Sequence, residues 1–454
     1  MNNNILSPNL PEPTGKRIVI VGGGFAGIEF AKKINHPEYQ IVLLDKNNYH
    51  QFQPLFYQVA TAGIEPSAIS YPFRKLFQNK RNFHFRLAEV IEIKPEDKLL
   101  NTTIGLVSYD ILILAMGAKT NYYGNKDLEK YTYPLKSISD SLSFRNSILH
   151  KFEQALLKAN HEDVQQLLQF VVVGGGPTGV EVSGALSEMK KFILPKDYPE
   201  LDFNLMKIYL IEGSDRLLNA MTLFSSEHAK HYLRSMGVDV ILNKSVKSYN
   251  GRTLVLSDHT KIEADTVIWA AGIKGAGVIG LNENIYLPNQ RLQVDEYNRV
   301  KGYEDIFALG DLAAHETASP QVAQGAIQQG LLLARNLNHG IDPSKWKSYK
   351  YFDKGSMATV GRNKAVAEIV GLKFSGFMAW FVWMFIHLMS ILGFKNKIQT
   401  LINWAWSYFS YDQSLRLMIQ ANKTLPDLPE DNNPSNIQNK PEPNSSNKKL
   451  EMVK

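Results

Sequence analysis

Short apolar runs that stop at glycines and continue into helix-favouring segments dominate the pattern along this chain. The first run, residues 18–21, ends in Gly22-x-Gly24-x-x-Gly27 and leads into a helix predicted over residues 28–34. A second apolar run, residues 40–45, predicts a strand that ends at Asp45. The order strand, glycine turn, helix, strand is that of a βαβ unit.

The three glycines of this turn have separate physical roles in a dinucleotide cradle. Gly22 permits a tight turn, Gly24 lets the backbone approach a pyrophosphate, and Gly27 lets the helix pack closely on the strand. The phosphates are expected at the helix N-terminus, where unpaired N–H groups and the helix dipole favour anions. Asp45 stands where an acidic residue holds a ribose hydroxyl. The first unit therefore predicts a dinucleotide site.

The chain then repeats this pattern. Residues 170–179 form a second glycine-rich turn with Gly174, Gly176 and Gly179, and the strand predicted over residues 207–212 ends at Glu212. Internal duplication is a stronger signal than either motif alone. Because a carboxylate pairs with a free 2′-hydroxyl and repels a 2′-phosphate, Glu212 favours NADH over NADPH. Arg216 leaves NADPH open as the alternative.

Further apolar strands close each unit. Strands predicted over residues 109–117 and 266–272 end at Gly117 and Gly272, and residues 305–311 form a short strand that ends at Asp311. The helices predicted outside the two motifs are residues 137–157, 225–236 and 321–338.

Four other segments are less regular. Residues 46–58 are rich in aromatic and amide side chains, which predicts a loop that wraps a flat ligand; a turn-rich connector explains the composition equally well. Residues 83–93 alternate well enough for a strand in which Val90 can approach an adenine. Residues 1–15 are predicted to be a mobile leader and residues 340–349 a linker.

Composition narrows the chemistry. The 454-residue chain is long enough for two or three domains and contains no cysteine. That excludes disulfide scaffolds, thiolate metal sites and redox mechanisms that need a cysteine. His228 and His231 lie beside Glu227 on a predicted helix, and this small set is more typical of a solvated helix face than of a metal site, so no metal is expected.

The net charge of +6 suits an anionic surface. The chain has no basic stripe with interleaved aromatic residues, so we expect no nucleic-acid partner and prefer a membrane surface. Residues 374–394 contain no Asp, Glu, Lys or Arg over 21 positions, close to the roughly 20 residues of a spanning helix. The run is nevertheless rich in Trp, Phe and Met, and residues 398–409 are amphipathic.

We therefore expect two helices that lie in the membrane interface. The residues that suit the headgroup level or an anionic leaflet are Lys395, Lys397, Trp404, Trp406 and Tyr408. A buried hairpin or dimer interface is the second interpretation, and a single spanning helix is the third.

Two dinucleotide cradles need two nucleotides, most economically a tightly held flavin in the first and a diffusible nicotinamide in the second. The paired motifs and the strand ends at Gly117, Gly272 and Asp311 resemble flavoproteins with two dinucleotide-binding domains of glutathione-reductase-like fold. Four further stretches resemble the type II (alternative) NADH:quinone oxidoreductases. They are residues 52–60 (FQPLFYQVA), 176–181 (GPTGVE), 323–328 (AQGAIQ) and 351–358 (YFDKGSMA).

This resemblance covers roughly residues 16–420 and implies an α/β fold with two Rossmann-like domains and a C-terminal amphipathic-helix region that anchors the chain to a membrane. The implied parts are a leader (1–15), an FAD-binding domain (16–120 and 285–345), an NADH-binding domain (121–284), an anchor and quinone region (346–422) and a disordered tail (423–454).

The resemblance also implies two sets of nucleotide contacts. The FAD contacts are Gly22, Gly23, Gly24, Phe25, Ala26, Gly27, Asp45, Lys46, Gln53, Val90, Gly117, Asp311, Ala323 and Gln324. The NADH contacts are Gly174, Gly176, Gly179, Glu181, Glu212 and Gly272. Asp311 would accept hydrogen bonds from the ribityl hydroxyls, and the helix that opens at Ala323 would direct its positive N-terminus at the flavin's pyrimidine end.

Glu181 and two glutamines have competing interpretations. Glu181 lies in the predicted first turn of the second motif helix, as Glu29 does in the first, where an acid usually serves the helix dipole for about 0.3–1 kcal/mol. The resemblance makes Glu181 the catalytic residue where nicotinamide and flavin meet, and we prefer that role. It also implies a quinone site at Gln324, Gln328 and Lys354, although glutamines on a solvated helix face are the ordinary explanation.

The implied activity is a respiratory NADH dehydrogenase that passes a hydride from NADH to non-covalently bound FAD and two electrons to a membrane quinone, without proton pumping. The alternatives are a soluble NADH-dependent flavin reductase or oxidase and a non-respiratory NADH-binding flavoprotein of the apoptosis-inducing-factor type. The expected location is the cytoplasmic face of the inner (cytoplasmic) membrane, with peripheral, monotopic binding through residues 374–420. A homodimer is left open.

Overall fold

The computed structural model describes residues 8–317, 319–411 and 415–418, and two parallel sheets carry its architecture. The first is built on β1 (Lys16–Val21), which the glycine turn connects to α1 (Phe25–Lys33) and then to β2 (Tyr39–Asp45). β1 and β2 pair in parallel, with Val21 opposite Leu44. The predicted first βαβ unit is therefore confirmed.

The segment between β2 and the second unit contains two more strands of this sheet and two small antiparallel sheets. Its elements are β3 (Tyr49–Gln51), α2 (Phe56–Ala60), β4 (Ser70–Pro72), α3 (Phe73–Leu76), β5 (Phe83–Leu87), β6 (Val90–Lys94), β7 (Leu99–Thr102), β8 (Gly105–Ser108), β9 (Ile111–Leu114) and β10 (Ala118–Thr120). The strand Ile306–Ala308, from late in the chain, pairs with β9 at the sheet edge. Because the carboxyl ends of parallel strands share one edge, the Gly22 turn, Asp45 and Asp311 come together there.

The second parallel sheet repeats the first. Its central strand is β12 (Gln169–Val173), which the Gly174 turn connects to α7 (Pro177–Glu188). The elements are α4 (Lys126–Tyr131), β11 (Tyr133–Pro134), α5 (Ile138–Leu156), α6 (His161–Leu167), β12 (Gln169–Val173), α7 (Pro177–Glu188), α8 (Leu194–Asp197), β13 (Lys207–Ile211), α9 (Leu223–Ser235), β14 (Val238–Ile241), β15 (Val246–Tyr249), β16 (Thr253–Leu256), β17 (Lys261–Glu263), β18 (Thr266–Trp269) and β19 (Ile273–Gly275). β10 and β19 pair antiparallel where the chain crosses between the two units.

The chain then returns to the first unit. The elements are β20 (Leu292–Gln293), β21 (Ile306–Ala308), β22 (Ala313–Ala314) and α10 (Ala323–Asn338). α10 packs so closely on α1 that a Cβ at Gly330 would lie 2.4 Å from the carbonyl oxygen of Ala26. The return of β21 and α10 agrees with a discontinuous first domain, and the individual domain limits stay a prediction.

A third region completes the chain with a small antiparallel sheet and two helices: β23 (Ser356–Gly361), β24 (Lys364–Ile369), β25 (Leu372–Ser375), α11 (Phe377–Ser390) and α12 (Phe394–Ser410). The two C-terminal helices are as predicted, whereas the sheet was not foreseen. Its strands are short, and β25 merges with the uncharged run that predicts a helix. Among the described residues, no helix is long and apolar enough to cross a membrane.

The third region shares a core with the second nucleotide unit. Val180 and Leu186 of α7, Val360 of β23 and the indoles of Trp383 and Trp404 belong to one cluster of buried side chains. The prediction for Trp404 was wrong, because this residue is only 8% exposed and its Nε1 donates to Oε1 of Gln58 at 2.8 Å. Helical periodicity does not distinguish a tryptophan that faces lipid from one that faces a protein core.

Two other predictions from local pattern were wrong. The loop predicted over residues 46–58 is largely regular: it contains β3, a 3₁₀ turn (Gln53–Leu55) and the start of α2, whose Phe56 and Tyr57 are buried in the core. Its contact with a ligand stays a prediction. Residues 83–93 form two strands in different sheets rather than one, with Val90 of β6 opposite Thr102. In both cases contacts with distant segments override a local pattern.

The segments predicted as linker and leader are partly packed. Trp346, in the predicted linker, is buried against Tyr297 and Phe307. In the predicted leader, the carbonyl oxygen of Pro11 accepts hydrogen bonds from Arg17 and Gln40 at 2.9 Å each, so residues 8–15 are tied to the first unit. Residues 1–7 and the predicted tail, 423–454, lie outside the described residues.

One close approach positions α7 against the third region. A Cβ at Gly184 would lie 1.6 Å from the carbonyl oxygen of Val360, so only glycine allows the helix this near to β23. Gly184→Ala must push the two elements apart, and we expect a loss of about 1–3 kcal/mol in stability, as for an overpacked core. Denaturant unfolding of the holoprotein measures it. Gly213→Ala, where the nearest atom lies 4.0 Å from the added Cβ, is the control, and equal stability of the two variants would contradict the expectation.

Candidate active site

The glycines of both motifs divide into packed and open positions. A Cβ at Gly22 would lie 2.5 Å from the oxygen of Ala115, and one at Gly27 would lie 2.0 Å from the oxygen of Gly22. In the second motif a Cβ at Gly179 would lie 1.8 Å from the oxygen of Gly174. The middle glycines differ: Gly24 has its nearest neighbour at 3.8 Å and Gly176 has none within 4 Å. Each motif therefore leaves open space where a pyrophosphate would approach the backbone.

The acidic residues at the two strand ends occupy equivalent positions. Oδ2 of Asp45 accepts the backbone N–H of Gly23 at 2.6 Å, and Oε2 of Glu212 accepts that of Gly175 at 2.5 Å. Burial raises the pKa of Asp45, and the amides of Gly23 and Asn47 partly oppose this shift. Glu212 also accepts two hydrogen bonds from Ser214, at 2.9 and 2.7 Å. Both carboxylates are thus held at the crevices by backbone donors.

Arg216 is directed away from Glu212. Its Nε donates to Oδ1 of Asn219 at 3.2 Å and its guanidinium also donates to the Asn219 carbonyl at 3.1 Å. The side chain hydrogen-bonded to the second glycine turn is therefore the carboxylate of Glu212, while the guanidinium of Arg216 is bonded to Asn219.

Three helices begin at these crevices without a side-chain cap. The N-cap residues of α1, α7 and α10 are Gly24, Gly176 and Val322, and no side chain accepts their first N–H groups. A side-chain cap is present at α4, α5 and α6, from Asn125, Ser137 and Asn160. Because α2, α3, α8, α9, α11 and α12 also begin without one, an uncapped start is not by itself specific to these crevices. Uncapped first turns leave N–H groups and positive dipole ends for an anionic ligand, so all three fit the phosphate and pyrimidine contacts expected there.

Asp311 lies in a 3₁₀ turn directly after β21, beside two cations. Burial raises the pKa of its carboxyl, and the nearby charges of Lys136 and Arg291 oppose this. Lys136 is itself buried enough that desolvation lowers its pKa. The sequence analysis did not include Lys136, because nothing in the local pattern before α5 shows that it would lie next to a residue so distant along the chain.

The other residues predicted around the first nucleotide vary in environment. Phe25 is half-buried against His50 and Phe52, while Ala26 is buried under α10. Lys46 and Gln53 are exposed. The conformation of Gly117 and Gly272 is left-handed, with φ of 69° and 115°, which explains glycine at both strand ends.

Glu181 has a different setting from the one predicted. α7 begins at Pro177, so Glu181 lies in its second turn, and the prediction of a first-turn acid was wrong. The residue is 8% exposed and faces β23 and α11. Burial raises the pKa of its carboxyl to about 8, although the backbone of Thr359 and the indole of Trp383 lower it. The carboxyl is therefore mostly protonated at neutral pH.

A cavity of about 110 Å³ lies between Glu181 and the C-terminal helices. Its walls come from α2, α7, β23, α11 and α12, and include Tyr57, Gln58, Glu181, Glu188, Thr359, Arg362, Trp380, Trp383, Trp404 and Tyr408. The indole of Trp383 is buried at this cavity beside Glu181. Burial, followed by the charge of Glu181, raises the pKa of the Tyr57 phenol well above its usual range. The cavity is thus aromatic with a polar end.

Glu188 and Arg362 close one end of this cavity. Oε1 of Glu188 accepts the backbone N–H of Arg362 at 2.5 Å, and burial raises the pKa of Glu188. The guanidinium of Arg362 donates to the Ser407 carbonyl at 2.6 Å and lies 3.5 Å from the centre of the Tyr411 ring. Sequence reasoning missed Tyr57, Trp383, Glu188 and Arg362. Their placement depends on packing between α7 and the third region, for which no motif exists.

The three residues of the predicted quinone site do come together. Gln324 and Gln328, on the first turns of α10, both hydrogen-bond with backbone of residues 352–355, which include Lys354. Lys354 is exposed. Their contact with a quinone stays a prediction.

No group of three His, Cys, Asp or Glu side chains able to hold a metal occurs among residues 8–317, 319–411 and 415–418. His228 lies on α9 with Nδ1 2.8 Å from the Phe224 carbonyl oxygen and its ring against that of Phe224. Its environment is that of an ordinary helix residue.

Comparison with known proteins agrees with this geometry. The family model for pyridine nucleotide-disulphide oxidoreductases matches residues 16–330, and the model for the NDH2 C-terminal domain matches residues 354–410. A type II NADH:quinone oxidoreductase of Mycobacterium tuberculosis is 36% identical over 423 residues, with 89% of this chain and 90% of that protein aligned. A type II NADH:quinone oxidoreductase of Staphylococcus saprophyticus is 27% identical, over 81% of this chain and 93% of that protein.

Among solved structures, NDH2 from Plasmodium falciparum in complex with NADH superposes with a TM-score of 0.83 at 23% identity, over 89% of this chain and all of that one. The sulfide:quinone oxidoreductase of Aquifex aeolicus has a TM-score of 0.67 at 17% identity. At these identities the likeness shows the fold alone. On the family match and the mycobacterial relative, this chain belongs to the pyridine nucleotide-disulphide oxidoreductases and, among them, to the type II NADH:quinone oxidoreductases.

Proposed function

We propose that this NADH:quinone oxidoreductase works at a membrane surface, with FAD held non-covalently in the first crevice and NADH bound in the second. The observation that carries the proposal is the position of Glu181. Glu181 lies on α7, the helix that follows the second glycine turn, and also lines a cavity that reaches the two C-terminal helices. A single buried carboxyl is thereby next to both the nicotinamide side and the membrane side of the molecule.

The first crevice fits FAD. The open space at Gly24, the carboxylate of Asp45 and the uncapped start of α1 suit the adenosine and pyrophosphate half. Asp311 suits the ribityl hydroxyls, and the uncapped start of α10 at Ala323 suits the pyrimidine ring. The other predicted contacts, Gly23, Phe25, Lys46, Gln53 and Val90, stay part of this proposal. FAD, when bound, accepts a hydride and passes on two electrons.

The second crevice fits NADH by the same features. Gly176 faces open space, α7 begins without a cap, and Glu212 stands at the ribose position. The structure of the Plasmodium relative was determined in complex with NADH. We keep Gly174, Gly179 and Gly272 in this site because their tight packing against neighbouring protein atoms shapes the turns around the nucleotide.

Quinone is proposed to bind between the start of α10 and the third region. Gln324 and Gln328 supply amide donors, Lys354 supplies a cation at the entrance, and Glu181, protonated at neutral pH, is the group that can release a proton. The aromatic cavity beside Trp383 extends from Glu181 to the C-terminal helices, and Gln324, Gln328 and Lys354 do not line it.

The outer faces of α11 and α12 support binding to a bilayer surface. Their exposed side chains are almost all apolar; they include Phe377, Met378, Phe381, Phe385, Met389, Phe394, Ile398, Leu401, Ile402, Trp406 and Phe409. Exposed apolar surface of this extent marks a partner or a membrane. With a quinone as substrate, we favour the bilayer surface, on the cytoplasmic side where NADH is made. A homodimer through this face is the competing arrangement.

The activity is tested by NADH oxidation by purified yellow protein on vesicles, with and without a short-chain quinone. We expect NADH oxidation to depend on quinone and the protein to retain its FAD through gel filtration. Oxidation that is indifferent to quinone would favour a flavin reductase or oxidase, and colourless protein that FAD does not reconstitute would refute the proposal.

Glu212→Gln tests the choice of coenzyme. The neutral amide keeps an acceptor for Gly175 but removes the charge that repels a 2′-phosphate. We expect the ratio of kcat/KM for NADPH to that for NADH to rise about tenfold, which corresponds to about 1.4 kcal/mol. The quinone KM serves as internal control, and an unchanged ratio would show that Glu212 does not select the coenzyme.

Glu181→Gln tests the raised pKa. In the folded protein the carboxyl keeps its proton up to about pH 8, whereas in the unfolded chain it releases it near pH 4.5. The folded state therefore binds the extra proton between these values, and wild-type stability relative to the glutamine variant should fall by up to about 1.4 kcal/mol per pH unit across that window. Melting temperatures of both holoproteins at pH 5.5, 7 and 9 measure this. A constant difference would mean that Glu181 is ionised throughout.

The membrane face is tested without disturbing the core. Phe385, Ile402 and Phe409 are 59%, 60% and 83% exposed, so replacing them by Glu should leave folding and yellow colour intact. Because charges are costly in the interface, we expect binding to anionic vesicles to weaken about tenfold or more. Leu157→Glu, at a residue 86% exposed on the second nucleotide unit, is the matched control. Equal vesicle binding by all variants would contradict the anchor, and a change from dimer to monomer would favour the dimer interface.

A further inference from the structure

Three amide side chains of α10 pair reciprocally with the backbone of one extended segment, residues 347–355, which we call the strap. Nδ2 of Asn336 donates to the Lys347 carbonyl at 2.9 Å, and the Lys347 N–H donates back at 3.0 Å. Gln328 and Phe352 exchange the same pair of bonds at 2.8 and 2.9 Å. Gln324 donates to the Gly355 carbonyl at 2.9 Å and accepts the Lys354 N–H at 3.2 Å.

The two halves of the strap are held differently. Its first half has additional anchors. The adjacent Trp346 is buried with its Nε1 bonded to the Gly340 carbonyl at 2.9 Å, and the Tyr349 N–H donates to the Glu296 carbonyl at 2.7 Å. Beyond Tyr349, the hydrogen bonds that join the strap to α10 are those of Gln328 and Gln324. The position of Lys354 relative to the helix start therefore depends on these two carboxamides and on the adjacent Gly355, whose backbone packs closely against Glu368 of β24.

Reciprocal pairing also orients the amides. A carboxamide has two N–H donors and two acceptor lone pairs, and each backbone pair uses one of each. Because the bonds at both ends fix the amide plane, the second N–H of each glutamine points in one direction. Both glutamine residues are half-buried.

We propose that the strap is a positioning element for quinone reduction. Its backbone registers Lys354 against the first turns of α10 and aims the spare N–H groups of Gln324 and Gln328 at the quinone carbonyl oxygens. Phe352 is thereby a positioning residue, acting through its backbone N–H. The inference rests on the proposed quinone site, whereas the docking of the strap can be measured by itself.

Phe352 offers a test that alters no group of the nucleotide crevices or the quinone site. Its side chain is 65% exposed, so Phe352→Ala should keep the two hydrogen bonds between Gln328 and the backbone of residue 352. Phe352→Pro removes the N–H that donates to Gln328. An ester in place of the amide at Phe352, introduced with the corresponding hydroxy acid, removes the same N–H without changing the side chain. This second variant decides the matter if the proline variant does not fold.

Two readouts are compared in the holoprotein. We expect the proline and ester variants to raise the KM for a short-chain quinone about fivefold, which corresponds to about 1 kcal/mol, while the rate of flavin reduction by NADH alone stays at the wild-type value. We also expect faster tryptic cleavage after Lys350 and Lys354. The alanine variant should behave as wild type in both.

If the N–H-deficient variants match the alanine variant in quinone KM and in tryptic cleavage, the proposal is wrong. Faster cleavage with an unchanged quinone KM would show that the strap has a structural role only, which also overturns it. If wild-type protein did not reduce quinone at all, the proposed function would fail. The cleavage rates would still show whether the hydrogen bonds of Gln324 and Gln328 hold the strap against α10.

Discussion

The contact between α7 and β23 is the constraint on which the rest of this molecule depends. The helix can approach the strand only because residue 184 is glycine, with the Val360 carbonyl where a side chain would be. That approach joins the second nucleotide unit and the C-terminal region into one core, which includes Trp383 and Trp404. A nucleotide-binding helix is thereby fixed against the part of the chain that presents an apolar face to its surroundings.

The same contact changes the chemistry of one carboxyl. Glu29 and Glu181 stand at equivalent positions after their glycine motifs, yet Glu29 lies at the surface with Nζ of Lys32 2.7 Å away. α1 is covered by α10, which leaves Glu29 at the side, whereas α7 is covered by β23 and α11 directly over Glu181. Burial without a cation raises the pKa of Glu181 to about 8. The two motif helices are alike, but their neighbours differ. The carboxylate of Glu29 is therefore partly exposed beside Lys32, whereas that of Glu181 is buried and has a raised pKa.

The C-terminal helices have one face in the protein core and one apolar face exposed at the surface. Trp383 and Trp404 face the protein core, while Phe385, Ile402 and Phe409 face outward. A helix that is apolar on both sides has little stability alone in water, and here packing of the inward side on the protein core stabilises it.

The strap between α10 and β23 is held in a different way, by backbone groups that hydrogen-bond with carboxamides. Apolar burial thus places the helices, and directional hydrogen bonds set the register of the segment that leads to them.

The features that depend on neighbours along the chain could be predicted from the residues alone. These are the two glycine cradles, the acids at Asp45 and Glu212, the strand end before Asp311 and the two C-terminal helices, because turn geometry, strand ends and helical periodicity are local. The contacts between residues that are far apart in sequence follow only from the three-dimensional fold. In the fold, Lys136 lies beside Asp311, and Glu181 and Trp404 are buried. Residues 56–60 are helical, and Gln324 and Gln328 hydrogen-bond with the strap. Burial and hydrogen-bond partners come from segments far apart in sequence, and no local pattern contains that information.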